Sequence, residues 1–234
     1  MANLAITRLG HAGVLYRSGE TWLWVDRWTG APNYPDAYRS AERADVVAPT
    51  HGHFDHVGDD CADVVELAGG GGQVVCSHEM SLYLAARGVE AIGMNKGGTV
   101  EAAGVRLTMV HADHSGGATL TGGDAAVTRD LGCWGWILSF ANGPTVYHSG
   151  DTDVFGDMAL LRERFSPDIA VMPIGGHYTM GPRDAARAAE LAGVERIVPV
   201  HYATFPLLAG TPAELRRHTE IEVVELEPGA TFEA

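Results

Sequence analysis

The segment Thr50-His51-Gly52-His53-Phe54-Asp55-His56-Val57-Gly58 sets four side chains of metal-ligating type within six residues, directly after a short apolar stretch closed by Pro49. Successive side chains of an extended backbone point to opposite sides, so His51 and His53 leave the chain on the same side. Asp55 and His56 follow where the chain turns into a helix, and they can face a second point a few ångströms away. Gly52 and Gly58 permit a tight backbone there. Imidazole and carboxylate together suit Zn2+, Fe or Mn2+. A surface histidine tract or a tag would lack the interleaved Gly, Phe and Asp. The segment reads as a loop fed by a strand end, the place where α/β proteins put their chemistry.

Strands are expected over 4–9, 13–17 and 21–26, separated by glycine-bearing turns. A loop over 28–40 and a short strand over 45–48 lead into the motif, and a helix over 59–67 leaves it. The pattern then recurs. Strands are expected over 73–77, 89–94, 99–102, 105–111, 134–140, 145–148, 169–173, 197–199 and, last, 222–226. Strands 134–140 and 145–148 are joined by an Asn142-Gly143 turn. Helices are expected over 80–87, 155–165, 182–192 (with Pro182 in the first turn) and 212–218. Each half opens with consecutive strands and then alternates strand and helix. That order predicts an α/β fold, a four-layer αββα sandwich of two mixed β-sheets with helices outside, in one domain over 1–234. A single doubly wound sheet accommodates the consecutive strands less well.

Composition narrows the function classes. The 234 residues are 46% hydrophobic, enough for a sizeable core, and no apolar run approaches the roughly 18–20 residues of a membrane helix. Met1 to Gly10 lacks the basic and apolar regions of a secretory signal, so a cytoplasmic location is expected. Cys61, Cys76 and Cys133 are odd in number and widely spaced; they read as buried thiols, not as a disulfide framework or a metal knuckle. The formal net charge of −14 disfavours nucleic acid as a partner and leaves a small-molecule substrate as the expectation. A homo-oligomer is left open.

Three later segments repeat the strand-end placement: Val110-His111-Ala112-Asp113-His114-Ser115, His148-Ser149-Gly150-Asp151-Thr152-Asp153 and Pro199-Val200-His201-Tyr202. His-x-His-x-Asp-His followed by a His, an Asp and a His resembles the metallo-β-lactamase fold superfamily. Leu9-Gly10-His11-Ala12-Gly13, Gly150-Asp151-Thr152, Pro173-Ile174-Gly175-Gly176-His177-Tyr178-Thr179-Met180-Gly181-Pro182 and His201-Tyr202-Ala203-Thr204-Phe205-Pro206 resemble a branch of small metal-dependent hydrolases. The ascorbate-6-phosphate lactonases and the N-acyl-phosphatidylethanolamine phospholipases are more distant relatives of that branch. The resemblance implies that His51, His53 and His114 hold one metal, that Asp55, His56 and His201 hold a second, and that Asp151 bridges them. His111 competes with His114, which is favoured because Ser115 follows it as in the branch's His-Ser pair. Zinc β-lactamases usually carry a Cys where Asp151 stands, so antibiotic hydrolysis is disfavoured.

The chemistry implied is binuclear, metal-dependent hydrolysis by a metal-bridging hydroxide of a small ester, lactone or phosphoester, with two divalent ions, Zn2+ first and Mn2+ or Fe as alternatives. A phosphodiesterase or nuclease on the same scaffold and a mononuclear iron persulfide dioxygenase are the competing readings. Asp55 is expected to orient the hydroxide or accept its proton, and His177 to bind substrate or protonate the leaving group. His11 is placed along the same cleft. Asp26 is expected to support a ligating histidine from behind, and His148 to point away from the site. The pairs Trp22/Trp24 and Trp134/Trp136 are read as packing residues, and Trp28, Tyr34 and Tyr38 as candidates for a lid.

Overall fold

The computed structural model describes residues 4–40, 43–120, 127–141 and 143–234. Strands β1 (Leu4–Arg8), β2 (Val14–Ser18) and β3 (Thr21–Val25) form an antiparallel meander. Strands β4 (Val46–Val47), β5 (Gln73–Ser77) and β6 (Ala91–Met94) extend it in parallel. The second sheet starts with the antiparallel strands β7 (Thr99–Ala102) and β8 (Val105–His111). A separate hairpin, β9 (Gly117–Leu120) with β10 (Val127–Asp130), follows. The second sheet then continues through β11 (Trp134–Phe140), β12 (Thr145–His148), β13 (Ile169–Pro173), β14 (Arg196–Val200) and β15 (Glu222–Val223), parallel from β12 onward. Finally β16 (Thr231–Glu233) pairs antiparallel with β1, so each large sheet has seven strands.

The period-2 alternation of apolar side chains explains the layering. Leu107 and Met109 of β8, Trp136 and Leu138 of β11, and Ile169 and Val171 of β13 join the core shared with the first sheet. Their sequence neighbours Val110, Ile137, Ala170 and Met172 join a second core on the opposite face. A strand with both faces buried must be apolar at nearly every position, as β11 and β13 are, whereas β8 keeps Arg106 and His111 exposed. Helices α1 (Phe54–Val57), α2 (Ala62–Gly69) and α3 (His78–Ala85) lie on the first-sheet side, where α2 packs on β4 and β5 and α3 on β5 and β6. Helices α4 (Met158–Phe165), α5 (Pro182–Ala192) and α6 (Pro212–Leu215) lie on the second-sheet side. Small residues on α5 (Ala185, Ala188, Ala189 and Ala192, all buried) let it come close to the sheet. The expected four-layer sandwich of two mixed sheets is therefore the observed one.

The differences have local causes. The helix expected over 59–67 becomes regular only at Ala62, because Asp60 and Cys61 adopt left-handed backbone angles (φ 55° and 62°). The Asp60 carboxylate is drawn aside by Tyr83 Oη, at 2.5 Å, and by Arg87. The helix expected over 155–165 starts at Met158, and the one over 212–218 stops at Leu215. Strand 222–226 is neither five residues long nor last, since β16 follows it. The hairpin β9–β10 lies in a stretch to which no strand was assigned. Asn142 of the expected Asn142-Gly143 turn lies outside the described residues. All three cysteines are buried and free, as expected. Among the described residues no helix is long and apolar enough to cross a membrane.

Candidate metal centre

The motif loop is pinned before it reaches its ligands. Trp134 N donates to Thr50 O (3.0 Å), and Trp136 Nε1 donates to Pro49 O (3.0 Å), which ties the loop to β11. Thr50 N and Thr50 Oγ1 donate to the two oxygens of buried Asp26, at 2.8 and 2.7 Å. With its single proton committed to Asp26, the Thr50 hydroxyl can only accept from His51 Nδ1 (3.0 Å). The same Asp26 accepts from His56 Nδ1 at 2.8 Å. Both imidazoles therefore carry their outer proton on Nδ1 and turn Nε2 toward the site, the arrangement that makes a histidine a metal ligand.

Three groups of donor atoms converge, each within 4.8 Å: His51, His53 and His114; His11, Asp55, His56 and His201; and His51, His56 and Asp151. His51 Nε2 and His53 Nδ1 approach to 2.9 Å. Asp151 Oδ2 lies 3.1 Å from His201 Nε2, 3.3 Å from His56 Nε2 and 3.7 Å from His114 Nε2, so it stands between the first two groups. The backbone that carries Asp151 is set by Gly150, at φ +62°. A Cβ at Gly150 would fall 2.8 Å from both Thr50 Cβ and Trp134 O, so only glycine fits. All seven expected ligands thus come together. His111 does not join them; it is exposed and packs edge-on against Phe155 at 4.7 Å.

His11 does join. Its backbone and that of His201 are both left-handed (φ 37° and 55°), and His201 N donates to His11 O at 2.8 Å. His11 Nε2 lies 3.0 Å from Asp55 Oδ2, and the His11 and His201 rings are 4.0 Å apart. The sequence signal was the Gly10-His11 turn at the end of β1. Thr50 carried no comparable signal.

Burial and charge polarise the centre. Burial alone would raise the Asp151 carboxyl, but His201 and His56 outweigh it and hold it well below the usual carboxylate range. His56 is the reverse: burial opposes its charge, and Asp151 and Asp26 hold it well above the usual imidazole range. Burial pushes His51 well down, with His56 adding to the effect, and it also lowers His53 and His114. Burial lowers His11 to about 4. Asp55 is pulled down against its own burial by the His11 hydrogen bond and the His56 charge. The lowered imidazoles of His51, His53 and His114 beside ionised carboxylates are a donor set that divalent cations take, and a metal at His56 would displace the proton that Asp151 and Asp26 favour there. The buried His56 Nε2 and His201 Nδ1 have no hydrogen-bond partner, and the former points into the cluster. The residues present fit a metal.

A cleft of about 820 Å³ opens over the cluster, with His53, Asp55, His114, Asp151 and His201 in its lining. His177 is not in that lining. It sits exposed, with a left-handed φ of 61°, edge-on to Tyr178, and Tyr178 is the residue that faces the cleft. The lid expected from Tyr34 and Tyr38 is absent: Tyr34 is buried with its hydroxyl on Arg27 and Tyr38 O, and Tyr38 packs on Trp24. Trp28 backs the site instead, edge-on to His11 (5.4 Å) and to Phe54 (5.5 Å). His148 points away, its Nδ1 2.8 Å from Tyr16 Oη, as expected. Phe54, Phe205 and Leu207 on the cleft wall went unassigned in the sequence, because isolated apolar loop residues carry no periodic signal.

The model of a beta-lactamase superfamily domain matches residues 21–202. A UPF0173 metal-dependent hydrolase of Koribacter versatilis is 44% identical, with 99% of each chain covered. One from Methanosarcina mazei is 40% identical over the whole of both chains. The chain belongs to the UPF0173 metal-dependent hydrolase family. Among solved structures, this UPF0173 chain is similar to Igni18, a metallo hydrolase from Ignicoccus hospitalis, with a TM-score of 0.84 and 31% identity over 99% of each chain. The metallo-beta-lactamase fold protein YhfI from Bacillus subtilis is 18% identical (TM-score 0.73, 99% of each chain) and shares the fold. The UPF0173 chain therefore has the metallo-β-lactamase fold that its motif order implied.

Proposed function

We propose that this family member is a hydrolase whose centre takes two divalent metal ions, zinc first, with manganese or iron as alternatives. His51, His53 and His114 would hold one ion, Asp55, His56 and His201 the other, and Asp151 would bridge. The observation that carries the reading is the position of Asp151 Oδ2, 3.1–3.7 Å from imidazoles of both groups. When bound, two such ions supply a water of lowered pKa and polarise the oxygen of the bond to be cut. The substrate would be a small ester, lactone or phosphoester, and residues 1–234 would form one domain. Three buried free thiols fit a reducing, cytoplasmic compartment.

The chain's own groups then have defined tasks. Asp26 and Thr50 fix the tautomers of His56 and His51, so the donor nitrogens need no reorganisation. Asp55, steadied by His11, faces the cleft; a carboxylate held this low is a weak base, which suits orienting water better than storing its proton. His177 would reach a leaving group only after its glycine-flanked loop turned, and we assign it no part in the step.

The double variant His51→Ala/His53→Ala should lose about half of the bound metal and all metal-dependent hydrolysis, read by elemental analysis beside a chromogenic ester assay. Wild-type metal content in that variant would sink the assignment. One iron per chain with oxygen uptake would replace hydrolysis by the dioxygenase reading.

A further inference from the structure

We propose that the substrate is an uncharged carboxylic ester or lactone carrying an apolar chain, seated along Phe54, Tyr178, Phe205 and Leu207; the proposal rests on the hydrolase reading above. Five large hydrophobic side chains are conspicuously exposed among the described residues: Phe54, Leu82, Leu160, Tyr178 and Leu207. Three of them, at 46%, 55% and 52% exposure for Phe54, Tyr178 and Leu207, line this one cleft, where Phe205 and Pro206 join them. Scattered apolar residues need no explanation, but several converging beside a polar centre mark a ligand surface. The surface is braced: Trp28 packs against Phe54 at 5.5 Å and against Phe205 at 5.9 Å.

The polar side of the cleft points the same way. Among the described residues that line it, no lysine or arginine appears; the polar groups are Ser115, Tyr178 and the clustered histidines and aspartates. Two metal ions can hold phosphoryl oxygens themselves, but sites that act on phosphoryl groups commonly add cationic side chains for the oxygens the ions do not reach. Here any oxygen beyond the ions would face aromatic rings and carboxylates, in a chain of net charge −14. An ester carbonyl makes no such demand. In the step itself, water oxygen bonds to the acyl carbon, the acyl C–O bond breaks, and a proton from the water passes to the departing alkoxide oxygen. The products are a carboxylic acid and an alcohol, or a single hydroxy acid from a lactone.

The test uses the metal-loaded protein with p-nitrophenyl acetate, p-nitrophenyl hexanoate and bis(p-nitrophenyl) phosphate. A fully buried methylene is worth about fourfold, and in a half-open cleft about half of that free energy remains. kcat/KM should therefore rise about tenfold or more from acetate to hexanoate and exceed that for the phosphodiester. In Leu207→Arg the hexanoate-to-acetate ratio should fall toward one, and phosphodiester turnover should gain relative to hexanoate. Calorimetry gives a readout independent of turnover: hexanoate should bind more tightly than acetate or inorganic phosphate. A flat chain-length dependence, or a phosphodiester cleaved as well as the hexanoate, overturns the substrate proposal while leaving the hydrolase intact. Turnover of none of the three by fully loaded protein overturns both.

Discussion

Asp26 holds three donors at once, Thr50 N, Thr50 Oγ1 and His56 Nδ1, and through Thr50 it also sets His51. It touches no group expected to meet a substrate, yet it orients one donor nitrogen in each of the two ligand groups. Asp26→Ala should lower metal affinity about 10–100-fold, the range typical of losing such a support, as read by competition with a chelator. Unchanged affinity would show that the strand ends alone orient the ligands. His148 allows a test of pH dependence. Burial lowers it to about 4, against about 6.5 in an unfolded chain. A depressed imidazole stabilises the fold fully above about pH 6.5, and that contribution, up to about 3 kcal/mol, is lost as pH falls toward 4. His148→Asn keeps a neutral partner for Tyr16, so its Tm should fall less steeply over that interval than that of the parent. Identical slopes would mean that His148 is protonated without cost.

At the scale of the element, helix α3 depends on Ser77. Its hydroxyl accepts from Met80 N at 3.1 Å and donates to Leu131 O at 2.7 Å, so one buried atom caps the helix and holds the segment after β10. Ser77→Ala should cost about 1–2 kcal/mol in denaturant unfolding; a loss below about half a kcal/mol would show that water replaces both bonds. Elements of this kind differ in how far they can be read ahead. β5, β8, β11, β12, β13 and α5 match their expected limits because each has an apolar pattern bounded by a turn residue, a cap or a proline, and β7, Thr-Val-Glu-Ala, matches because glycine turns at Gly97 and Gly104 flank it. β9 and β10 were missed because their hairpin is rich in Gly, Thr and Asp and short of apolar residues. β16 was missed because three residues at a sheet edge are stabilised by pairing with β1, a contact 224 residues away between Thr7 and Thr231. The left-handed start of the helix after Gly58 depends on Tyr83 of α3 and Arg87 just beyond it, which no local pattern contains.

Across the whole molecule, the centre gathers residues from His11 to His201 and from both sheets. The ligand types were legible one strand end at a time, since chemistry at strand ends is a property of the layered fold. What converges with them was less so. His11 comes in through the backbone bond from His201, and the apolar wall comes from loops after β14 and β13 and from α1. β1 runs toward His11, and β16 runs back beside it, with Ala5 opposite Glu233 and Thr7 opposite Thr231. Residues 4 and 234 therefore lie side by side, joined by the bond from Ala234 N to Leu4 O. At about 3.3 Å per residue, they lie about 20 Å along the strand from the turn that carries His11. A tether attached at Leu4 or at Ala234 would start from the same corner, remote from the cleft, so protein immobilised through either residue should present its mouth to solvent.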